Sequence, residues 1–146
     1  MKLKFIFLGK KMSESIDLMI VKYLKRLNVY IKSDYMYLHA KNKDKLEQKI
    51  LSNIKSNTCL IILDENGKNL TSLEYAKFID DKMNRYSSVI FVVGDAYSVS
   101  KNIMNASHYV IALSQMTFPH VIARLVLVEQ TYRTFTILNN HPYHHE

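Results

Sequence analysis

Two prolines and three glycines in 146 residues leave no room for a flexible linker, and no segment is repetitive or of low complexity. A chain this short and uninterrupted reads as one domain over residues 1–146, long enough to bury roughly two-thirds of its unfolded surface. Its single cysteine, Cys59, rules out a disulfide framework. Within the run Cys59-Leu60-Ile61-Ile62-Leu63 it reads as a buried core thiol rather than a nucleophile. No apolar run approaches the roughly 18 residues that span a bilayer. The start, Met1 to Gly9, alternates charged and apolar residues without a signal core, so the expectation is a cytoplasmic protein with no membrane partner.

Familiar active-site signatures are also missing. Neither a G-x-G-x-x-G fingerprint nor a G-x-x-x-x-G-K-[ST] loop follows a strand, which excludes the usual dinucleotide and P-loop sites. There is no G-x-S-x-G elbow and no H-E-x-x-H pair. Three of the six histidines, His141, His144 and His145, crowd the last six residues, but no cysteine or carboxylate stands at ligand spacing, so no metal is expected.

What is present is an uneven charge. Net charge is +7, yet residues 1–55 hold 13 Lys/Arg against 5 Asp/Glu, and residues 56–146 hold 7 against 8. A basic half beside a near-neutral half suits a protein that grips phosphates with one part and works with another.

Hydrophobic periodicity alternates strand and helix along the whole chain. Strands are expected at Leu3–Leu8, Val29–Leu38, Thr58–Leu63, Ser87–Val93 and His108–Leu113. Helices are expected after Ser13 to Leu27, over Asp44–Ile54, from the capping box Thr71-Ser72-Leu73-Glu74 to about Asn84, over Ser100–Ala106, and from Pro119 to about Leu138. The Thr58 and Ser87 runs are apolar throughout, as central strands covered on both faces are. Together these make an α/β fold with an open, mostly parallel sheet flanked by helices. Gly9, Gly67 and Gly94 each follow a strand, at the edge where such sheets bind ligands; Gly9 and Gly67 read as turn glycines, and Gly94 as the one beside a ligand.

The most distinctive stretch is Leu113-Ser114-Gln115-Met116-Thr117-Phe118-Pro119-His120, followed by a helix apolar almost all round. A helix buried on every side needs a second subunit or an unusual wrapping of the chain. Leu-Ser-x-Met-Thr-Phe-Pro-His, then Arg-x-x-Leu-x-Glu-Gln-x-Tyr-Arg and a closing Pro-Tyr-His, resembles the RlmH family, the bacterial pseudouridine N3-methyltransferases of 23S ribosomal RNA in the SPOUT superfamily. Gly9-Lys10-Lys11-Met12, Tyr23-Leu24-Lys25-Arg26, Leu63-Asp64-Glu65-Asn66-Gly67-Lys68 and Phe91-Val92-Val93-Gly94 extend the resemblance over essentially the whole chain.

The resemblance implies a SPOUT fold with a C-terminal trefoil knot, a homodimer, and methyl transfer from S-adenosylmethionine to ribosomal RNA at the helix 69 stem-loop, in a subunit or assembled ribosome. By position it implies cofactor contacts at Leu63, Gly94, Leu113, Ser114, Gln115, Met116, Thr117 and Phe118. Arg133 would stabilise the anionic base, Tyr143 orient the ring, and His144 take the N3 proton, with His145 as its alternative. For Arg133, a simple helix pairing with Glu129 is equally open. Lys10, Lys11, Lys22, Lys25 and Arg26 would meet phosphates. Where the family usually reads Gly-Gly-x-x-Gly, this chain has Gly94-Asp95-Ala96-Tyr97-Ser98, a stiffer loop with a carboxylate near the expected cofactor. The competing readings are a methyltransferase acting on another RNA such as tRNA, and a binding-only ribosome-associated protein.

Overall fold

The computed structural model describes residues 1–97 and 99–145, so Ser98 and Glu146 lie outside the described residues. Five strands alternate with five helices: β1 (Lys2–Leu8), α1 (Glu14–Leu27), β2 (Lys32–Leu38), α2 (Lys43–Leu51), β3 (Thr58–Asn69), α3 (Ser72–Arg85), β4 (Ser88–Val93), α4 (Lys101–Ala106), β5 (Tyr109–Ala112) and α5 (His120–Leu138). They form one sheet in the order β2-β1-β4-β3-β5, and every neighbouring pair is parallel. Parallel strands demand covering on both faces. Leu3, Phe5 and Phe7 of β1 meet Ile20, Leu24 and Leu27 of α1, Ile79 of α3 and Leu127, Val128 and Phe135 of α5. The alternate residues Ile6 and Leu8, with Leu60, Ile62, Ile90 and Val92, meet Ile50 of α2 and Ile103 of α4.

Helix starts follow local chemistry. Ser13, Asn42, Thr71 and Ser100 each accept from a first-turn backbone N–H, which satisfies donors the helix itself leaves unpaired. At Thr71 the bond is reciprocal, because Glu74 accepts from the Thr71 N–H at 2.9 Å, and that bond lowers the Glu74 pKa. Cys59 is fully buried, and burial pushes its thiol up to about 11, so it stays protonated and inert.

Three expected boundaries move by three residues or more, and the first is that α2 ends at Leu51 rather than Ile54. β2 begins at Lys32 rather than Val29, because the N–H groups of Tyr30 and Ile31 still bond the Leu27 carbonyl as α1 closes, leaving Val29 81% exposed. β3 does not stop at Leu63. Ile111 pairs with both Leu63 and Lys68, so residues 64–67 are looped out and the strand resumes against β5. Gly67 therefore closes this bulge within β3, where the strand rejoins β5, rather than making a turn between elements. A Cβ placed on it would lie 2.6 Å from the Ile111 carbonyl carbon, so only glycine permits this approach. Gly9, with φ +101°, does make the expected turn.

Candidate active site

A cavity of about 550 Å³ opens at the carboxyl ends of β3, β4 and β5. Leu63 stands within β3, where the strand begins to loop out, and Gly94 directly follows β4. The segment after β5 supplies Leu113, Ser114, Met116, Thr117 and Phe118. Gln115, expected with them, is exposed and does not line the cavity, because the loop points it outward. The looped-out segment of β3 forms one wall with Asp64, Glu65 and Asn66, and the first turn of α5 another with His120 and Ala123.

Side chains hold these loops in place. Thr117 Oγ1 donates to Glu65 Oε2 at 2.7 Å, tying the loop after β5 to the β3 loop. Ser114 Oγ accepts from the Met116 N–H at 3.0 Å. Asp95 Oδ1 accepts from the Tyr97 N–H at 2.9 Å, folding the turn after Gly94. α5 has no side-chain cap and no acidic residue in its first turn, so its free N–H groups and positive dipole end face this cavity. The formal charges on the cavity wall are all negative: Asp64, Glu65 and Asp95.

Beneath the floor lies Arg124, 1% exposed. Its Nη2 donates to the Leu8 carbonyl at 2.8 Å and its Nη1 to the Lys10 carbonyl at 3.3 Å, and the guanidinium lies 5.2 Å from the Tyr37 ring centre and 5.7 Å from that of Phe7. Desolvation lowers its pKa. Behind it, Tyr37 and Tyr35 donate to the buried Asp17 of α1 at 2.8 and 3.1 Å. Desolvation first, then the Asp17 bond, pushes the Tyr35 hydroxyl up to about 12 and Tyr37 still higher. Arg124 stood in the motif without a role in the sequence reading. The available signal was a lone cation in an apolar helix, which requires buried acceptors.

The expected catalytic residues gather elsewhere. Glu129 Oε1 accepts from Arg133 Nη2 at 2.6 Å and from the Tyr143 hydroxyl at 2.8 Å. Arg133 Nη1 and His144 Nδ1 are 3.0 Å apart, and the guanidinium lies 4.7 Å from the Tyr143 ring centre. Burial, followed by bonds to Tyr23 and Glu129, raises the Tyr143 pKa. The His141 N–H bonds the Thr136 carbonyl at 2.9 Å, so the tail is docked and not frayed. Arg133 makes the helix pairing with Glu129 that the sequence allowed, and it also meets His144. His145 is exposed. Arg133 lies ten helical steps beyond Ala123, the last residue of α5 that lines the cavity, so it sits roughly 15 Å along α5 from the cavity of the same chain.

Lys10, Lys11, Lys22, Lys25 and Arg26 are all exposed in and beside α1. Lys11 pairs with Glu14 at 2.6 Å, a contact that raises its pKa. Arg26 lies over the rings of Tyr23 and Tyr132, and Tyr132 meets Tyr143 at 4.9 Å. Arg26 thus borders the tail cluster, whereas Lys10 and Lys11 follow Gly9 at the carboxyl end of β1, the end of the sheet where the cavity opens.

The chain is similar to known proteins in family and in fold. The family described as predicted SPOUT methyltransferases matches residues 1–144. A protein named ribosomal RNA large subunit methyltransferase H from Flavobacterium psychrophilum is 40% identical over 157 aligned positions, covering 100% of both chains. Its namesake from Clostridium tetani is 35% identical, covering 99% of each. Among solved structures, a SpoU methyltransferase, AviRb, from Streptomyces viridochromogenes in complex with the cofactor AdoMet superposes with TM-score 0.51 at 10% identity, over 92% of this chain and 57% of its own. A probable methylase family protein from Haemophilus influenzae gives 0.54 at 10% identity, over 97% and 67%. At that identity the two structures speak for the fold alone.

Proposed function

This chain belongs to the predicted SPOUT methyltransferase family, and from that premise we propose that it methylates large-subunit ribosomal RNA with S-adenosylmethionine, at N3 of a pseudouridine in the helix 69 stem-loop. The observation that carries the reading is the cavity, where the loop after β5 closes against Leu63 and Gly94. Its size falls within the range of small-molecule sites. Leu63, Val93, Leu113, Met116 and Phe118 supply apolar walls for an adenine, the α5 amino terminus suits a carboxylate, and the acidic wall suits a cation. In this reading the C-terminal segment is threaded as the trefoil knot of the superfamily.

When bound, the cofactor supplies an electrophilic methyl on sulfur and leaves as the thioether. The protein must strip the N3 proton and align the nitrogen with that methyl, and alignment alone lowers much of the barrier. His144 takes the proton, Arg133 stabilises the anionic ring and holds His144, and Tyr143 orients the base. Arg133 stands roughly 15 Å along α5 from the cavity of its own chain, so the reading includes a homodimer in which the tail cluster of one copy serves the cavity of the other. Arg26, beside that cluster, together with Lys10, Lys11, Lys22 and Lys25, would then grip the phosphates around the target.

The test is transfer of labelled methyl to purified ribosomes, separated subunits and tRNA, with calorimetry of cofactor binding beside it. Label confined to large-subunit RNA, lost when the target pseudouridine is replaced by uridine, supports the reading. Label in tRNA reassigns the substrate. Absence of both binding and transfer leaves a binding-only protein and overturns the reading.

A further inference from the structure

Asp95 stands directly after Gly94 at the carboxyl end of β4, the middle strand of the sheet, and lines the cavity. We propose that its carboxylate makes this cavity discriminate by charge between the sulfonium cofactor and the thioether product, S-adenosylhomocysteine; this rests on the cofactor reading above. The two ligands differ by one methyl and one positive charge, located at the sulfur. Apolar walls and helix amides treat them nearly alike, and a single methyl in an apolar pocket separates ligands only weakly. A fixed negative charge, by contrast, attracts the sulfonium and is indifferent to the thioether.

The surroundings of Asp95 decide whether that charge is available. Among the described residues no lysine or arginine lines the cavity, and His120 is the one basic side chain that does. Asp95 meets the Tyr97 N–H with Oδ1, a bond that fixes the side chain without cancelling its charge. The nearest cation in its environment is Arg124, which lies behind Gly9. A Cβ added to Gly9 would stand 3.4 Å from Arg124 Nη2 and 3.8 Å from the Asp95 Cβ. Arg124 is buried, donates from Nη2 to the Leu8 carbonyl and from Nη1 to the Lys10 carbonyl, and does not line the cavity. Neutralising Asp95 would therefore remove the negative charge and also leave the buried guanidinium without its counter-charge. Both changes disfavour the sulfonium, so the sign of the effect is fixed.

Calorimetric titration of the full chain with S-adenosylmethionine and S-adenosylhomocysteine tests this, using Asp95→Asn, Asp95→Glu and Asp95→Gly. The amide retains the acceptor for the Tyr97 N–H and loses only the charge. The ratio of product Kd to cofactor Kd should fall by about fivefold in Asp95→Asn, a size expected of losing one partly screened charge, while product affinity holds. Asp95→Glu should keep the original ratio, and Asp95→Gly should match the amide. Equal weakening of both ligands in Asp95→Asn, or no change in either, overturns the proposal and leaves the cofactor site standing. If the unaltered protein binds neither ligand, the cofactor reading itself falls and takes this inference with it. Should Asp95→Asn lose both ligands, the ratio in Asp95→Gly decides in the same terms.

Discussion

Arg124 reaches across the sheet's edge to donate to the carbonyl of Leu8 at 2.8 Å, linking the first turns of the last helix to the end of the first strand. That carbonyl and the one at Lys10 belong to a turn whose Gly9 has φ +101°, so the turn has few bonds of its own and relies on the guanidinium.

Removing the fork should therefore be costly. Arg124→Met keeps the bulk but leaves the buried Leu8 carbonyl, and the part-buried one of Lys10, without this donor, an expected loss of about 3 kcal/mol. Arg124→Lys restores one bond but not the planar contact with Phe7 and Tyr37, and should lie between the two. Urea unfolding of the three proteins measures this, and equal midpoints would contradict it.

Gly67 offers a second local test. Alanine there places a methyl 2.6 Å from the Ile111 carbonyl carbon, backbone against backbone, where nothing flexible can yield. Overpacking of this kind costs about 2 kcal/mol, and the displaced loop carries Asp64, Glu65 and Asn66 of the cavity wall. The expected outcome is a lower melting temperature together with weaker cofactor binding. A substitution that lowers neither would mean that the backbone can separate here freely.

Such features mark where the sequence stopped being readable. The strands and helices were legible because apolar spacing and caps such as Thr71 with Glu74 act over a few residues. The cavity was legible in outline, because Leu63, Gly94 and the loop after β5 all lie at strand ends, which a parallel sheet brings together. The resumption of β3 beyond Gly67 was not, since it depends on Ile111, 44 positions away. Nor was the division of the site into two regions. Arg133, Tyr143 and His144 could be named from their motif, but their distance from Gly94 follows from the straight run of α5. The outward turn of Gln115 likewise depends on how its loop closes on Glu65.

Stability should fall on the alkaline side for a reason that can be located. Tyr35 holds its proton to about pH 12 in the folded chain, against an ordinary value near 10, because burial and Asp17 both oppose a phenolate. A raised folded value means that the neutral tyrosine stabilises the fold fully below pH 10, and that this contribution is lost between about pH 10 and pH 12 as the unfolded chain ionises first. Tyr37 shifts the same way and further. Unfolding followed from pH 8 to 11 should show a steady loss above pH 10. Tyr35→Phe should flatten that slope while lowering stability at pH 8, because Asp17 loses a donor. An unchanged slope would place the alkaline transition in other groups.

The separation of cavity and tail cluster allows a test that a single-chain site could not pass. Gly94→Trp should fill the cavity and abolish transfer, and Arg133→Ala should abolish it by removing the partner of His144 and Glu129. If each active centre takes its cavity from one copy and its tail cluster from another, every Gly94→Trp homodimer and every Arg133→Ala homodimer is dead at both sites. A mixed dimer has one centre carrying both lesions and one carrying neither. Random exchange makes half the dimers mixed, so subunits unfolded together and refolded should recover about a quarter of the original activity. Were each centre built within one chain, every subunit would still carry its own lesion and the mixture would stay inactive. Methyl transfer by the refolded mixture, scored against each variant refolded alone, distinguishes the two arrangements directly.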